Sequence, residues 1–275
     1  MPTSDPSVNR TATDATPGDT EDGLPTIEQE GLTMTDAAPT IVLVHGAWAD
    51  ASSWAPVASR LLAQGFAVTA PPNNLRGPAA DAAYVRAYLE TLPGPIVLVG
   101  HSYGGVVITN AATGLETVKA LVYVCAFAPD EGQPVAALVG PESALAAALG
   151  DPTKVFKLAP FPGAPEGVVD TYLLPSAVSS SFAQDLSAED QAVIAATQRP
   201  ASFQAVGEPS GVPAFRSIPS YALIGTQDRI IPPAQQRAMA TNAGAEITEI
   251  EASHVAMLSQ PDAVAALIAR VARSV

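Results

Sequence analysis

The chain has 275 residues, 48% of them hydrophobic and 15% charged, a balance that suits one large globular unit and leaves no room for a second full domain. Its formal charge of −14 argues against nucleic acid or an anionic membrane surface as a partner, since either calls for a basic patch. A single cysteine, Cys125, excludes an internal disulfide.

In chain order, residues 1–39 come first. They hold eight acids against one base, Arg10, and so carry half of the net charge. Rich in Thr, Asp, Pro and Gly and without a hydrophobic period, they are expected to be a disordered acidic tail. Met34 reads as a natural start, and residues 1–33 as a dispensable extension, an expectation that loss of folding on their deletion would overturn. The tail lacks a basic start followed by an apolar run, and no later stretch offers about 18 uninterrupted apolar residues. A cytoplasmic location is the expectation.

From Ile41 onward, short apolar runs alternate with helical patterns. IVLV (41–44), FAVTA (66–70), PIVLVG (95–100), ALVYVCA (120–126), SYALIG (220–225) and EITEI (246–250) predict six strands. Most are apolar without strict alternation, as when helices cover both faces of a parallel sheet. Between them the pattern predicts helices over 54–64, 81–92, 103–113 and 232–243, and a last one after Pro261, whose ring suits a first helical turn. Strand then helix, repeated, means an α/β fold with a mostly parallel central sheet flanked by helices. Cys125 lies in the fourth run and reads as a buried strand residue, not a nucleophile. Residues 129–219 break the rhythm: no strand is convincing, and short helical pieces such as ESALAAAL and AEDQAVIAATQ recur among Pro, Ala, Ser and Gly. A helical cap inserted after the fourth strand is expected, lying as a lid over the carboxyl ends of the strands, where open sheets bind ligands.

GHSYG (100–104) fits G-x-S-x-G. A match to the pattern alone is weak, but this one ends an apolar strand and opens a helix, the setting in which small neighbours let the chain turn sharply and push a serine hydroxyl outward. The competing readings are a glycine-rich turn, or a phosphate loop, which the lack of a following G-K-[ST] disfavours. Ser102 as a nucleophile needs a histidine base held by a carboxylate. Of three histidines, His45 and His101 are expected to shape loops, leaving His254 in EASHVAM after the last strand. Alone, His254 would read as a packing residue; its place in the strand order makes it the candidate base. Asp228 in GTQDRIIP is preferred as the carboxylate, because it follows the fifth strand at the same sheet edge. Asp130 in FAPDEG is the alternative, and could equally cap a helix. Backbone N–H groups of Tyr103 and of Ala47, in HGAWADASSW, are the candidate oxyanion donors. Trp54 reads as packing, and Trp48 as packing or as a wall of the substrate pocket.

These motifs, VLVHGAWADASSW, LVGHSYGG, AFAPDEG, SAEDQAVIAATQRP, GTQDRIIP and SHVAMLSQP, resemble in order those of the α/β-hydrolase superfamily. Within it the chain is similar to the small esterase and hydroxynitrile lyase group that includes plant methyl esterases, from about Ile41 to the end. The resemblance implies Ser102 as nucleophile, His254 as base, Asp228 as orienting acid, Ala47 and Tyr103 as oxyanion donors, a cap over 129–219, and no cofactor or metal. Lyases of that group carry a lysine directly after the histidine; here it is Val255. A carboxylic ester hydrolase acting on a small, fairly apolar ester is therefore expected. A hydroxynitrile lyase, a cofactor-free perhydrolase on the same residues, and a hydrolase-fold ligand receptor with little turnover are the alternatives. The expected partner is the small-molecule substrate; oligomeric state is open, a homodimer among the options.

Overall fold

The computed structural model describes residues 38–275, so the readings made for residues 1–37 lie outside the described residues. Strands β1 (Thr40–Val44), β2 (Ala67–Thr69), β3 (Ile96–His101) and β4 (Val118–Val124) come first. Three more, β5 (Phe156–Ala159), β6 (Asp170–Leu173) and β7 (Ala201–Ser202), lie in the long insertion, and β8 (Ser220–Gly225) and β9 (Glu246–Ile250) follow it. The six strands outside the insertion form one sheet in the order β2-β1-β3-β4-β8-β9, with every neighbouring pair parallel. All six carboxyl ends thus point to one edge.

Helices α1 (Ala55–Ala63), α2 (Pro78–Leu89) and α3 (Tyr103–Ala111) connect the first strands. In the insertion lie α4 (Val135–Leu138), α5 (Ala146–Gly150), α6 (Pro175–Ala177) and α7 (Ala188–Ala196); α8 (Pro233–Asn242), α9 (Ala256–Ser259) and α10 (Pro261–Ala272) close the chain. Right-handed crossovers put α1 on one face of the sheet and α2, α3 and α8 on the other. α10 packs against α1, and α2 against α3. In α10, Val264, Leu267, Ile268 and Val271 are buried at helical spacing, while Pro261 sits in the first turn, where its missing N–H costs nothing. Ile96, Val97, Leu98 and Val99 of β3 are fully buried, because both faces of the sheet are covered. Burying each such side chain contributes about 1.5–3 kcal/mol before chain entropy is subtracted.

The expected cap is only partly helical. β5, β6 and β7 form an antiparallel sheet inside it, with Phe156 opposite Leu173 and Lys157 opposite Tyr172. Phe156 and Leu173 are buried and Lys157 is exposed, so the alternation exists but spans only four residues. A strand this short gains its stability from the partner across the hairpin, and that partner is invisible in a local window. Cys125 lies one residue past β4, fully buried, and burial pushes its thiol well above the ordinary range. Among the described residues no helix is long and apolar enough to cross a membrane.

Candidate active site

β3 delivers the chain to Ser102, whose φ of 53° and ψ of −123° place a non-glycine residue in strained backbone. The Ser102 carbonyl accepts N–H bonds from Gly105 (2.9 Å) and Phe127 (3.2 Å), which hold the turn closed. Gly104 is required two residues on: a methyl group there would run into the Val44 carbonyl and lie 2.9 Å from that of His45. α3 therefore starts in contact with the end of β1.

Asp228 stands three residues past β8 and His254 four past β9, at the same edge as Ser102. The Ser102 hydroxyl donates to His254 Nε2 (2.8 Å), and His254 Nδ1–H donates to Asp228 Oδ2 (2.8 Å). Because a carboxylate only accepts, the proton must sit on Nδ1, which leaves Nε2 free to take the serine proton. Asp228 is buried, with its other bonds supplied by the N–H groups of Ile230 (2.8 Å) and Ile231 (3.0 Å) and by Gln236 Nε2 (2.8 Å). Those donors offset the cost of burying the charge. Asp130, the alternative carboxylate, instead pairs with Arg216 (2.7 Å) at the surface.

The loop after β1 lies against the nucleophile: a methyl on Gly46 would stand 2.7 Å from Ser102 Cβ. That approach brings Ala47 beside Ser102. Tyr103 opens α3, and an N–H in a first helical turn has no acceptor within its own helix. The Tyr103 side chain is fixed from the other end, its hydroxyl donating to buried Asp81 (2.8 Å). Burial, with the Asp81 charge beside it, pushes that phenol far above its ordinary range, so it stays a neutral donor.

His101 and His45 shape loops, as expected. His101 Nε2–H donates to the backbone carbonyl of His254 (2.9 Å), tying the serine turn to the loop that carries His254. His45 donates from Nδ1 to the Gly46 carbonyl (3.0 Å) and accepts at Nε2 from Asn73 N–H (2.9 Å). Burial lowers the pKa of both rings from 6.5, that of His101 well below it.

Ala47, Ser102 and Tyr103 line an apolar cleft, together with Trp48, Leu75, Phe127, Leu145, Phe156 and Phe203. An apolar lining that converges on a few polar groups is the chemistry of a small-molecule site. Trp54 is buried at the start of α1. Among the described residues no cluster of three or more His, Cys, Asp or Glu stands ready to hold a metal ion. Several residues of the site have no counterpart in the sequence reading: Gln236 on Asp228, Asp81 on Tyr103, and Asp185, whose carboxylate accepts the Ser253 N–H (2.8 Å) from the insertion. Nothing in a local pattern marks them, since each partner is brought in by the fold.

Known proteins resemble this chain in sequence and in fold. A carbendazim hydrolyzing esterase from Nocardioides sp. (strain SG-4G) is 35% identical over 111 residues, covering 36% of this chain and 46% of that esterase, less than half of the relative's length. The structure of polyneuridine aldehyde esterase superposes with a TM-score of 0.68 at 22% identity, covering 86% of this chain and 99% of that one. A methylesterase protein from Arabidopsis does so with a TM-score of 0.69 at 19% identity, covering 86% and 100%. Residues 41–267 match the alpha/beta hydrolase family, from the second residue of β1 to within α10. A match over that span, on a six-stranded parallel sheet with a serine turn after β3, means that the chain belongs to the alpha/beta hydrolase family.

Proposed function

We propose that this protein is a serine esterase that cleaves a small, fairly apolar carboxylic ester through an acyl-enzyme. The observation that carries the reading is the buried relay Ser102, His254, Asp228, with both bonds at 2.8 Å and a cleft opening onto the serine. Ser102 Oγ attacks the ester carbonyl as His254 Nε2 takes its proton, and the carbonyl π pair moves to oxygen. The N–H groups of Ala47 and Tyr103 receive that oxyanion. Asp228 stabilises the imidazolium without taking the proton. When the tetrahedral intermediate collapses, His254 returns the proton to the leaving alcohol; a water then repeats both steps on the acyl-enzyme and frees Ser102. The insertion serves as the lid that supplies the apolar walls. Val255 is buried and carries no charge, which gives a departing cyanide no counter-ion and weighs against a lyase.

Steady-state hydrolysis of a chromogenic series of short-chain esters tests the reading. The wild type is expected to turn over many times, with Ser102→Ala losing roughly 10⁴-fold or more in kcat while keeping its unfolding midpoint. Equal turnover by folded Ser102→Ala would remove the serine from the chemistry, and a folded wild type without turnover on the series would favour the ligand-receptor reading.

A further inference from the structure

Trp48 follows the oxyanion residue Ala47, and its backbone is unusual, with φ at 60°. A bulky residue there is strained, and glycine would relieve the strain. The indole is nevertheless held from three sides. Nε1–H donates to Thr171 Oγ1 (3.1 Å), which itself donates to the Ala201 carbonyl (2.8 Å). The ring lies tilted on Phe156 at 5.2 Å between centroids and meets Phe182 edge-on at 6.3 Å.

Phe156 belongs to the cleft that opens onto Ser102, whereas Phe182 belongs to a second cleft between the loop after β1, α7 and the segment after His254. Its walls include Asp50, Phe182, Val193, Val255 and Leu258. Among the described residues Trp48 is the one that lines both clefts. The second cleft lies on the base's side, because the Phe182 ring is 5.2 Å from the His254 imidazole and Val255 is the next residue. An ester's leaving oxygen must take its proton from His254 Nε2, so the alcohol arm points to that side and the acyl arm toward the first cleft.

We propose that Trp48 is a specificity-determining partition, its indole closing the alcohol side of the site against the second cleft, so that the protein selects esters of short alcohols and a smaller residue joins the two clefts. The inference rests on the serine esterase reading for its assignment of the two arms. Buried methylenes are worth roughly fourfold each in affinity, so several of them passing into the second cleft give a large signal.

The test compares kcat/KM on two ester series in wild type, Trp48→Ala and Trp48→Phe, each verified as folded by thermal unfolding. In Trp48→Ala the octyl acetate to ethyl acetate ratio is expected to rise about tenfold or more, while the ethyl octanoate to ethyl acetate ratio stays within about threefold. In Trp48→Phe, which keeps a ring in place, the first ratio is expected to stay within about threefold of wild type. An unchanged alcohol ratio in folded Trp48→Ala, or both ratios rising together, overturns the partition. Should Trp48→Ala not fold, Thr171→Val releases the indole N–H while keeping its own shape; it is expected to raise the alcohol ratio about threefold, and no rise overturns the proposal. A readout without turnover separates the two readings: calorimetry of octan-1-ol binding to Ser102→Ala and to Ser102→Ala/Trp48→Ala. Binding about tenfold tighter in the double variant upholds the partition even if no ester is cleaved, and equal binding overturns it even if esters are.

Discussion

Asp228 and Asp130 have the same side chain, and their surroundings give them opposite roles. Asp228 is buried and accepts from His254, two backbone N–H groups and Gln236, so its charge cannot be replaced by water. In Asp228→Asn the amide can donate to His254 Nδ1, which forces the proton onto Nε2 and removes the acceptor for the Ser102 hydroxyl. A loss of about 10⁴-fold in kcat is expected, with KM little changed. Asp130→Asn breaks only an exposed pair with Arg216 and is expected to leave both ester turnover and the unfolding midpoint as they were. Measuring kcat for both variants decides between the two carboxylates. That Ser102, His254 and Asp228 share one edge was legible in the sequence because each lies within four residues of the end of a strand that is itself legible, and parallel strands bring such positions together. Gln236 and Asp81 were not. Each meets its partner through the placement of a helix, and an isolated glutamine or aspartate on a helix carries no sign of which residue it will face.

At the scale of elements, α3 does two things at once: it packs against the sheet, and its first residue, Tyr103, directly follows Ser102. The contact of Gly104 with the end of β1 couples them. Gly104→Ala is expected to push the start of α3 away from the Val44 and His45 carbonyls, carrying the Tyr103 N–H with it. A displacement of about 1 Å lowers kcat roughly 10²-fold with a smaller change in KM. Gly150→Ala, at the end of α5 with open space around it, is the control and is expected to leave kcat unchanged. Kinetics on both variants checks the coupling; equal kcat in the two would break it. The four inner strands, β1, β3, β4 and β8, were readable for the reason that α3 packs so closely: burial on both faces demands continuous apolar runs, whereas the edge strand β9, exposed in part along its length, mixes polar and apolar residues. The insertion was not readable in the same way. Its strands are two to four residues long and alternate only once or twice, and their stability comes from antiparallel partners up to 32 residues away.

For the whole molecule, two of the three histidines, His45 and His101, give a pH dependence that surface charges do not. All three are fully buried. His45 and His101 have pKa values lowered from 6.5, chiefly by burial, and their hydrogen bonds agree: His45 Nε2 is already occupied by a donor, the Asn73 N–H, so a second proton there would meet a proton. Below pH 6.5 the unfolded chain therefore takes up protons at these two positions that the folded chain refuses, and folding loses stability as pH falls. The slope is about 1.4 kcal/mol per pH unit for each proton refused. The surface carboxylates with lowered pKa, Asp50, Asp130, Asp151, Glu249 and Asp262, act only below their ordinary values of 3.8 to 4.5, so they leave the window between pH 5 and 6.5 clear. Urea unfolding of the wild type across that window is expected to show stability falling with pH. His101→Phe removes one refused proton and also the bond to the His254 carbonyl, so its absolute stability drops at every pH while its slope flattens by one proton. A parallel curve, lower but equally steep, would mean that His101 accepts its proton in the folded protein.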